Sequence, residues 1–342
     1  MDFTSTNRLN NSVLKTFLQQ IKNRINYTWR NTKLRLLRFI LKDKFDERSV
    51  LIITSSPRSG STLLSNVLKA IPQSCALFEP LHINNVPEAK FAGFSWRTYV
   101  EPDTDWPDGK AFMQKIFTAK VINEWTAREL RITEAIKAKI LIVKFVRANR
   151  LLPWISKNFV SHKPILLIRH PCAVIASQLK SKDWENIEKP PLPDYIRKFP
   201  AFIKNYQYAE TKEEFLALLW AFDQLPALMF DDLSRWTIIT YEELISAPQD
   251  TVKKICDDWG IEPSSEIIMS EIINPSSTVS LSGISGMEGW KNQLNQVQIS
   301  RILNLTHNFG LQFYSENTMP DFDILANPEL PNQIKNMGLR VE

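Results

Sequence analysis

Val50-Leu51-Ile52-Ile53-Thr54-Ser55-Ser56-Pro57-Arg58-Ser59-Gly60-Ser61-Thr62-Leu63-Leu64 decides how this chain is read. A buried strand runs into a tight turn of small hydroxyl residues, and the spacing of Leu63, Leu64, Val67, Leu68 and Ile71 predicts a helix after it. Such a junction offers backbone amides and the positive end of a helix dipole to an anion. Arg58 adds a planar fork that holds phosphate-type oxygens in pairs, and the hydroxyls of Ser59, Ser61 and Thr62 supply further donors. The turn departs from the nucleoside triphosphate pattern G-x-x-x-x-G-K-[ST], because it has neither the first glycine nor the lysine. A magnesium-chelated triphosphate therefore matches it poorly. The plain alternative is a serine-rich turn that only joins strand to helix.

Three more apolar runs, at 140–143, 165–168 and 237–240, are strand length, rich in Ile, Val and Leu, and lack alternation. With helical patterns between them they predict an α/β fold: a P-loop-type parallel sheet flanked by helices, one domain with helical and loop insertions. Anion sites in such sheets open at the carboxyl ends of the strands, so Arg58, Lys144 and Arg169 are expected along one edge. The 342 residues divide into a basic segment 1–48, a catalytic domain 49–315 and a tail 316–342.

Pro57-Arg58-Ser59-Gly60-Ser61-Thr62-Leu63-Leu64 resembles the 5′-phosphosulfate loop of the sulfotransferase family. Ile165-Leu166-Leu167-Ile168-Arg169-His170-Pro171-Cys172-Ala173-Val174-Ile175-Ala176-Ser177, a strand ending in Arg-x-Pro with a serine eight residues past the arginine, resembles the family's 3′-phosphate motif. Phe78-Glu79-Pro80-Leu81-His82 resembles a block of the Golgi-type carbohydrate sulfotransferases, and Ile140-Leu141-Ile142-Val143-Lys144-Phe145-Val146-Arg147 resembles their Lys-x-x-Arg strand end. Trp236-Thr237-Ile238-Ile239-Thr240-Tyr241-Glu242-Glu243-Leu244, followed by Pro248, looks like the later strand and its structural Tyr-Glu-x-Leu turn. Ser282-Gly283-Ile284-Ser285-Gly286-Met287-Glu288-Gly289-Trp290-Lys291 is similar to a glycine-rich loop that closes over the 3′-phosphate and adenine, with Ser282 where a basic residue is often found. Together the similarity extends over most of residues 50–310.

The resemblance implies 3′-phosphoadenosine 5′-phosphosulfate (PAPS) as cosubstrate. It assigns donor binding to Arg58, Ser59, Gly60, Ser61, Thr62, Leu63, Arg169, Ser177, Trp290 and Lys291. The sulfuryl group would pass to an acceptor hydroxyl, with a carbohydrate favoured and a lipid or natural-product alcohol as the rival. Charge spreads over sulfuryl oxygens and leaving phosphate in that transition state, which suits Arg58 and Lys144. The base is Glu79 or, second, His82, whose ordinary pKa is the more convenient near neutrality. Each has a plainer reading, a loop carboxylate and a turn cap; Arg147 is open between cleft and solvent. Outside this class stand a nucleotide-binding protein without turnover and a P-loop kinase.

Residues 83–112 carry Phe91, Phe94, Trp96, Tyr99 and Trp106, and residues 183–210 carry Trp184, Tyr195, Phe199, Tyr206 and Tyr208. They suit stacking on an acceptor, or equally a satellite apolar cluster under long loops. Trp220 and Phe222 fit a core helix. In the basic segment, Lys15, Lys22, Arg24, Arg30, Lys33, Arg35 and Arg38 accompany Leu14, Phe17, Leu18, Ile21 and Ile25 at helical spacing. That helix could lie on a membrane surface, recruit an anionic polymer, or pack against the domain. No apolar run is long enough to span a bilayer and no signal peptide is visible, so a cytoplasmic location, with peripheral membrane contact open, is expected. Cys75, Cys172 and Cys256 stand in no metal or redox spacing, no metal is expected, and no nucleic-acid motif occurs despite a formal charge of +5.

Overall fold

A computed structural model of the chain describes residues 3–69, 71–159, 162–261 and 287–340. Five strands form one sheet: β1 (Val50–Ser55), β2 (Ser74–Phe78), β3 (Ile140–Val146), β4 (Ile165–Ile168) and β5 (Thr237–Thr240). Their order is β2-β3-β1-β4-β5, and every pairing is parallel. Central β1 sets Val50 against Leu141 on one side and Ile53 against Ile165 on the other. A strand paired at both edges and covered on both faces has no solvated side, which is why all six residues of β1 are buried and apolar side chains do not alternate with polar ones.

Successive side chains still go to opposite faces. Val50 and Ile52 pack with Leu77, Val143 and Phe145 under the helices Phe3–Leu41 and Pro107–Phe117. Leu51 and Ile53 pack with Leu63, Ile142 and Leu167 on the other face, under α2 (Ser61–Leu68) and the helix Pro248–Trp259. Leu166 and Ile168 meet a third cluster built by the helices Pro171–Leu179, Lys212–Leu228 and Gln296–Asn308. Trp220 and Phe222 lie inside it, 2% and 0% exposed, as the core reading has it.

The parallel α/β architecture is the one predicted, with a strand more than the four apolar runs. β2 is Ser74-Cys75-Ala76-Leu77-Phe78, fully buried but opened by small side chains, so an Ile/Val/Leu pattern does not mark it. β3 also continues three residues past its apolar run, through Lys144 to Val146.

Both ends of the chain join this body. The basic segment forms one helix, α1 (Phe3–Leu41); the side chains of Leu14, Phe17, Leu18, Ile21 and Ile25 lie outside the described residues. Leu37 and Leu41 are buried in the sheet's first cluster, and Arg38 donates two hydrogen bonds to the Ile122 carbonyl at 3.1 and 2.7 Å. Residues 316–342, set apart as a tail in the sequence, hold the helices Phe322–Leu325 and Leu330–Leu339. Leu325, Leu330 and Ile334 belong to the third cluster, so both helices contribute to the core. Among the described residues no helix is long and apolar enough to cross a membrane, and the three cysteines are buried free thiols.

Candidate active site

The strand order brings the singled-out charges to one edge of the sheet. Arg58 follows β1, Glu79 follows β2, Lys144 lies near the end of β3, and Arg169 follows β4. The turn after β1 holds the left-handed conformation twice, at Arg58 (φ +73°) and at Gly60 (φ +92°), the residue that opens α2. Only glycine takes that backbone without strain, and here space forbids anything larger: a Cβ on Gly60 would lie 2.3 Å from the Tyr241 ring. Tyr241, which follows β5, thus packs under the turn. Its other partner is the Arg169 guanidinium, 4.1 Å from the ring centroid.

Arg58 and Arg169 face one cleft of about 300 Å³, lined also by Ala173, Ser177, Lys180, Trp290 and Gln293. Arg58 Nε donates to Ser177 Oγ at 2.9 Å, and Arg169 Nη1 donates to the Arg58 carbonyl at 3.1 Å. Ser55 Oγ, Ser59 Oγ and Arg169 Nε are buried with no hydrogen-bond partner among the described residues. Unsatisfied buried donors carry a desolvation cost of about 1–3 kcal/mol each. Placed beside the dipole of α2, they fit an anion with several oxygens. Trp290 is buried and stacks on His170, with centroids 4.6 Å apart and planes 18° apart, and its Nε1 also lacks a partner among the described residues.

Not every predicted residue arrives. Lys291 is exposed, pairs with Glu288 at 3.2 Å and does not line the cleft. Its Nζ also lies 5.5 Å from the centroid of the Trp290 ring, which does line the cleft. Leu63 buries its side chain in the core, leaving only its backbone to the turn. Ser61 is buried at the start of α2. Residues 282–286 of the glycine-rich loop lie outside the described residues.

On the other side of the turn, Lys144 Nζ donates to Thr62 Oγ1 at 3.1 Å, lies 3.9 Å from Glu79 Oε1 and sits 3.7 Å over the Phe78 ring. Burial pushes the Glu79 carboxyl above its usual range, with Lys144 opposing that shift, and lowers Lys144 to about 8 against the pull of Glu79. Glu79 itself is held at φ +40°, its amide donating to the Lys144 carbonyl at 2.9 Å. His82 is half-buried between Trp96 and Trp125, at 4.8 and 4.5 Å, and its ring lies within hydrogen-bond distance of Asn85; burial lowers its pKa. Of the aromatic insertions, Phe94, Tyr195 and Phe199 are core and Tyr99, Trp106, Trp184 and Tyr206 pack against it, so the satellite-cluster reading accounts for most; Phe91 and Tyr208 are exposed, and Trp96 stands apart beside His82.

A buried network that the sequence reading missed supports the turn from behind. Asp223 pairs with Arg150 at 2.9 Å and Arg97 at 3.3 Å and accepts from Ser56 Oγ at 3.4 Å, while Gln224 Nε2 donates to Ser56 Oγ at 2.9 Å. The available signal was an acid and an amide inside the apolar run Trp220-Ala221-Phe222-Asp223-Gln224. Among the described residues no group of three or more His, Cys, Asp or Glu side chains could hold a metal ion.

The family model for the sulfotransferase family matches residues 51–265, which takes in the turn, both arginines, Glu79 and Lys144. The chain belongs to the sulfotransferase family. It is accordingly an enzyme that uses PAPS, and the partnerless donors of two residues that line the cleft, Arg169 Nε and Trp290 Nε1, suit that anion. No curated protein matches this sulfotransferase. Among solved structures it is similar to the sulfotransferase domain of the Synechococcus PCC 7002 olefin synthase, at 21% identity over 78% of this chain and 96% of that one, with a TM-score of 0.41. It is also similar to the sulfotransferase domain from the curacin biosynthetic pathway, at 17% identity over 86% and 92%, TM-score 0.37. The mouse sulfotransferase SULT7A1 complexed with PAP aligns at 16% identity over 77% and 85%, TM-score 0.41.

Proposed function

We propose that this sulfotransferase acts on the hydroxyl of a carbohydrate, with Glu79 as the base and the cleft between Arg58 and Arg169 as the donor site. The observation that carries the reading is the chain of contacts from Glu79 through Lys144 to Thr62, which ties a buried carboxylate to the anion turn itself. When bound, PAPS supplies an activated sulfuryl group and a good leaving group, adenosine 3′,5′-bisphosphate. Arg169 and Ser177 bind one phosphate end; the amides of Ser59 to Leu63, with the Ser59 and Thr62 hydroxyls, bind the other. Arg58 and Lys144 hold positive charge where negative charge grows. Glu79 accepts the acceptor's proton, and its raised pKa makes it a stronger base than an exposed glutamate. The rings of His82, Trp96 and Trp125 form a wall beside it that suits the C–H face of a sugar.

The test is an acceptor screen with labelled donor across sugars, long-chain alcohols and phenols. Transfer to sugars that falls at least 100-fold in Glu79→Gln, with bisphosphate binding intact, is the expected result. Transfer confined to non-sugar alcohols removes the acceptor class, and an undiminished rate in Glu79→Gln removes the base.

A further inference from the structure

Arg147 follows β3 in the left-handed region, at φ +74°, and its amide donates to the Ser55 carbonyl at 2.8 Å. That backbone is strained for any residue but glycine, so something holds it in place. Its guanidinium is half-buried, 4.9 Å over the Trp96 ring, and makes no ion pair and no hydrogen bond among the described residues. The neighbouring charges do not balance it. Arg97 and Arg150 share the single carboxylate of Asp223, and Lys144 takes Glu79. Among the described residues Arg147 is thus the cation of this group that no carboxylate pairs with directly. Burial and the nearby Arg97 oppose its charge more than the Glu79, Asp223 and Asp183 carboxylates, none of them paired with it, favour it, and an anion in direct contact would relieve the difference.

Its place says which anion. Arg147 is not among the residues that line the cleft of Arg58, Arg169 and Ser177. It lies instead on the acceptor wall, since the same Trp96 ring that it covers meets the edge of His82, and its charge is felt by both His82 and Glu79. We infer that Arg147 is an acceptor-binding residue, and that the alcohol this enzyme sulfates carries an anionic group, a carboxylate or a phosphate or sulfate ester, near the hydroxyl that reacts. This rests on the reading of Glu79 as the base beside the acceptor. Five N–H donors in a fixed fork would then grip two oxygens of the acceptor and turn its hydroxyl toward Glu79.

The test is titration calorimetry on protein saturated with adenosine 3′,5′-bisphosphate, using acid and neutral partners in pairs. The pairs are phenyl β-glucuronide with phenyl β-glucoside, glucose 6-phosphate with glucose, and mandelate with methyl mandelate. The acid of at least one pair should bind about tenfold tighter than its neutral partner. Arg147→Gln should erase that preference, Arg147→Lys should keep part of it, and both should bind the bisphosphate as the natural protein does. No preference for any acid overturns the inference, and so does a matching loss of bisphosphate affinity in both variants. The pairs also separate this inference from the one beneath it: preference for mandelate with no sugar bound keeps the anion site and removes the carbohydrate, while sugars that bind with no acid preferred in any of the three pairs do the reverse.

Discussion

A carboxylate and an ammonium 3.9 Å apart, with side chains 15% and 1% exposed, are each pushed toward neutrality by burial and pulled back toward charge by the other. Glu79 must be deprotonated to act as a base, so kcat/KM should fall as pH drops through its raised pKa, above the range of an exposed glutamate. Lys144 must be protonated to steady developing charge, so kcat/KM should also fall as pH rises past about 8. A bell-shaped profile is expected, and in Lys144→Arg its alkaline limb should vanish because a guanidinium stays charged. A limb that stays near 8 in that variant would belong to another group. For the donor, Arg58→Ala and Arg169→Ala should each remove most of the rise in melting temperature produced by adenosine 3′,5′-bisphosphate. Among the described residues Arg58 shows no other side-chain hydrogen bond than that to Ser177, while Arg169 also braces the turn through the Arg58 carbonyl. Arg169→Ala should therefore also lower the melting temperature without ligand, and Arg58→Ala should not.

The strand-turn-helix element from Val50 to Leu68 works because its turn has no spare room. Gly60→Ala would force a side chain both into the left-handed region and against Tyr241, and should cost about 2 kcal/mol in urea unfolding. If the variant unfolds at the same midpoint, the turn is looser than its packing indicates. This element was legible because its three signals agree: an apolar strand, small hydroxyl residues, and helical spacing from Leu63 onward. β3, β4 and β5 were legible for the first of those reasons, being buried on both faces. β2 was not, since Ser74 and Ala76 fill a narrow space with little hydrophobic volume. Lys144 falls inside a strand rather than past its end because Thr62, Glu79 and the Phe78 ring satisfy an ammonium there, and such long-range partners leave no local trace.

At the scale of the molecule, the C-terminal residues complete the core against which the donor cleft is built. Ile334 is fully buried and packs on Gly310, where even a Cβ would come within 3.1 Å of the Ile334 backbone. Gly338 lies so close to Phe199 and Phe202 that an added Cβ would stand 2.8 Å from each ring. The same apolar cluster includes Trp290, a wall of the cleft, and Ile175 and Ala176 beside Ser177. Ile334→Ala should therefore cost about 3 kcal/mol, the usual price of a buried isoleucine cavity. If the cluster is one cooperative unit, urea should unfold the variant in a single transition at a lower midpoint, coincident by tryptophan fluorescence and circular dichroism. With the helix Leu330–Leu339 as a separate appendage, the main transition would instead keep its midpoint, because the lost methyl groups would belong to a unit that melts by itself.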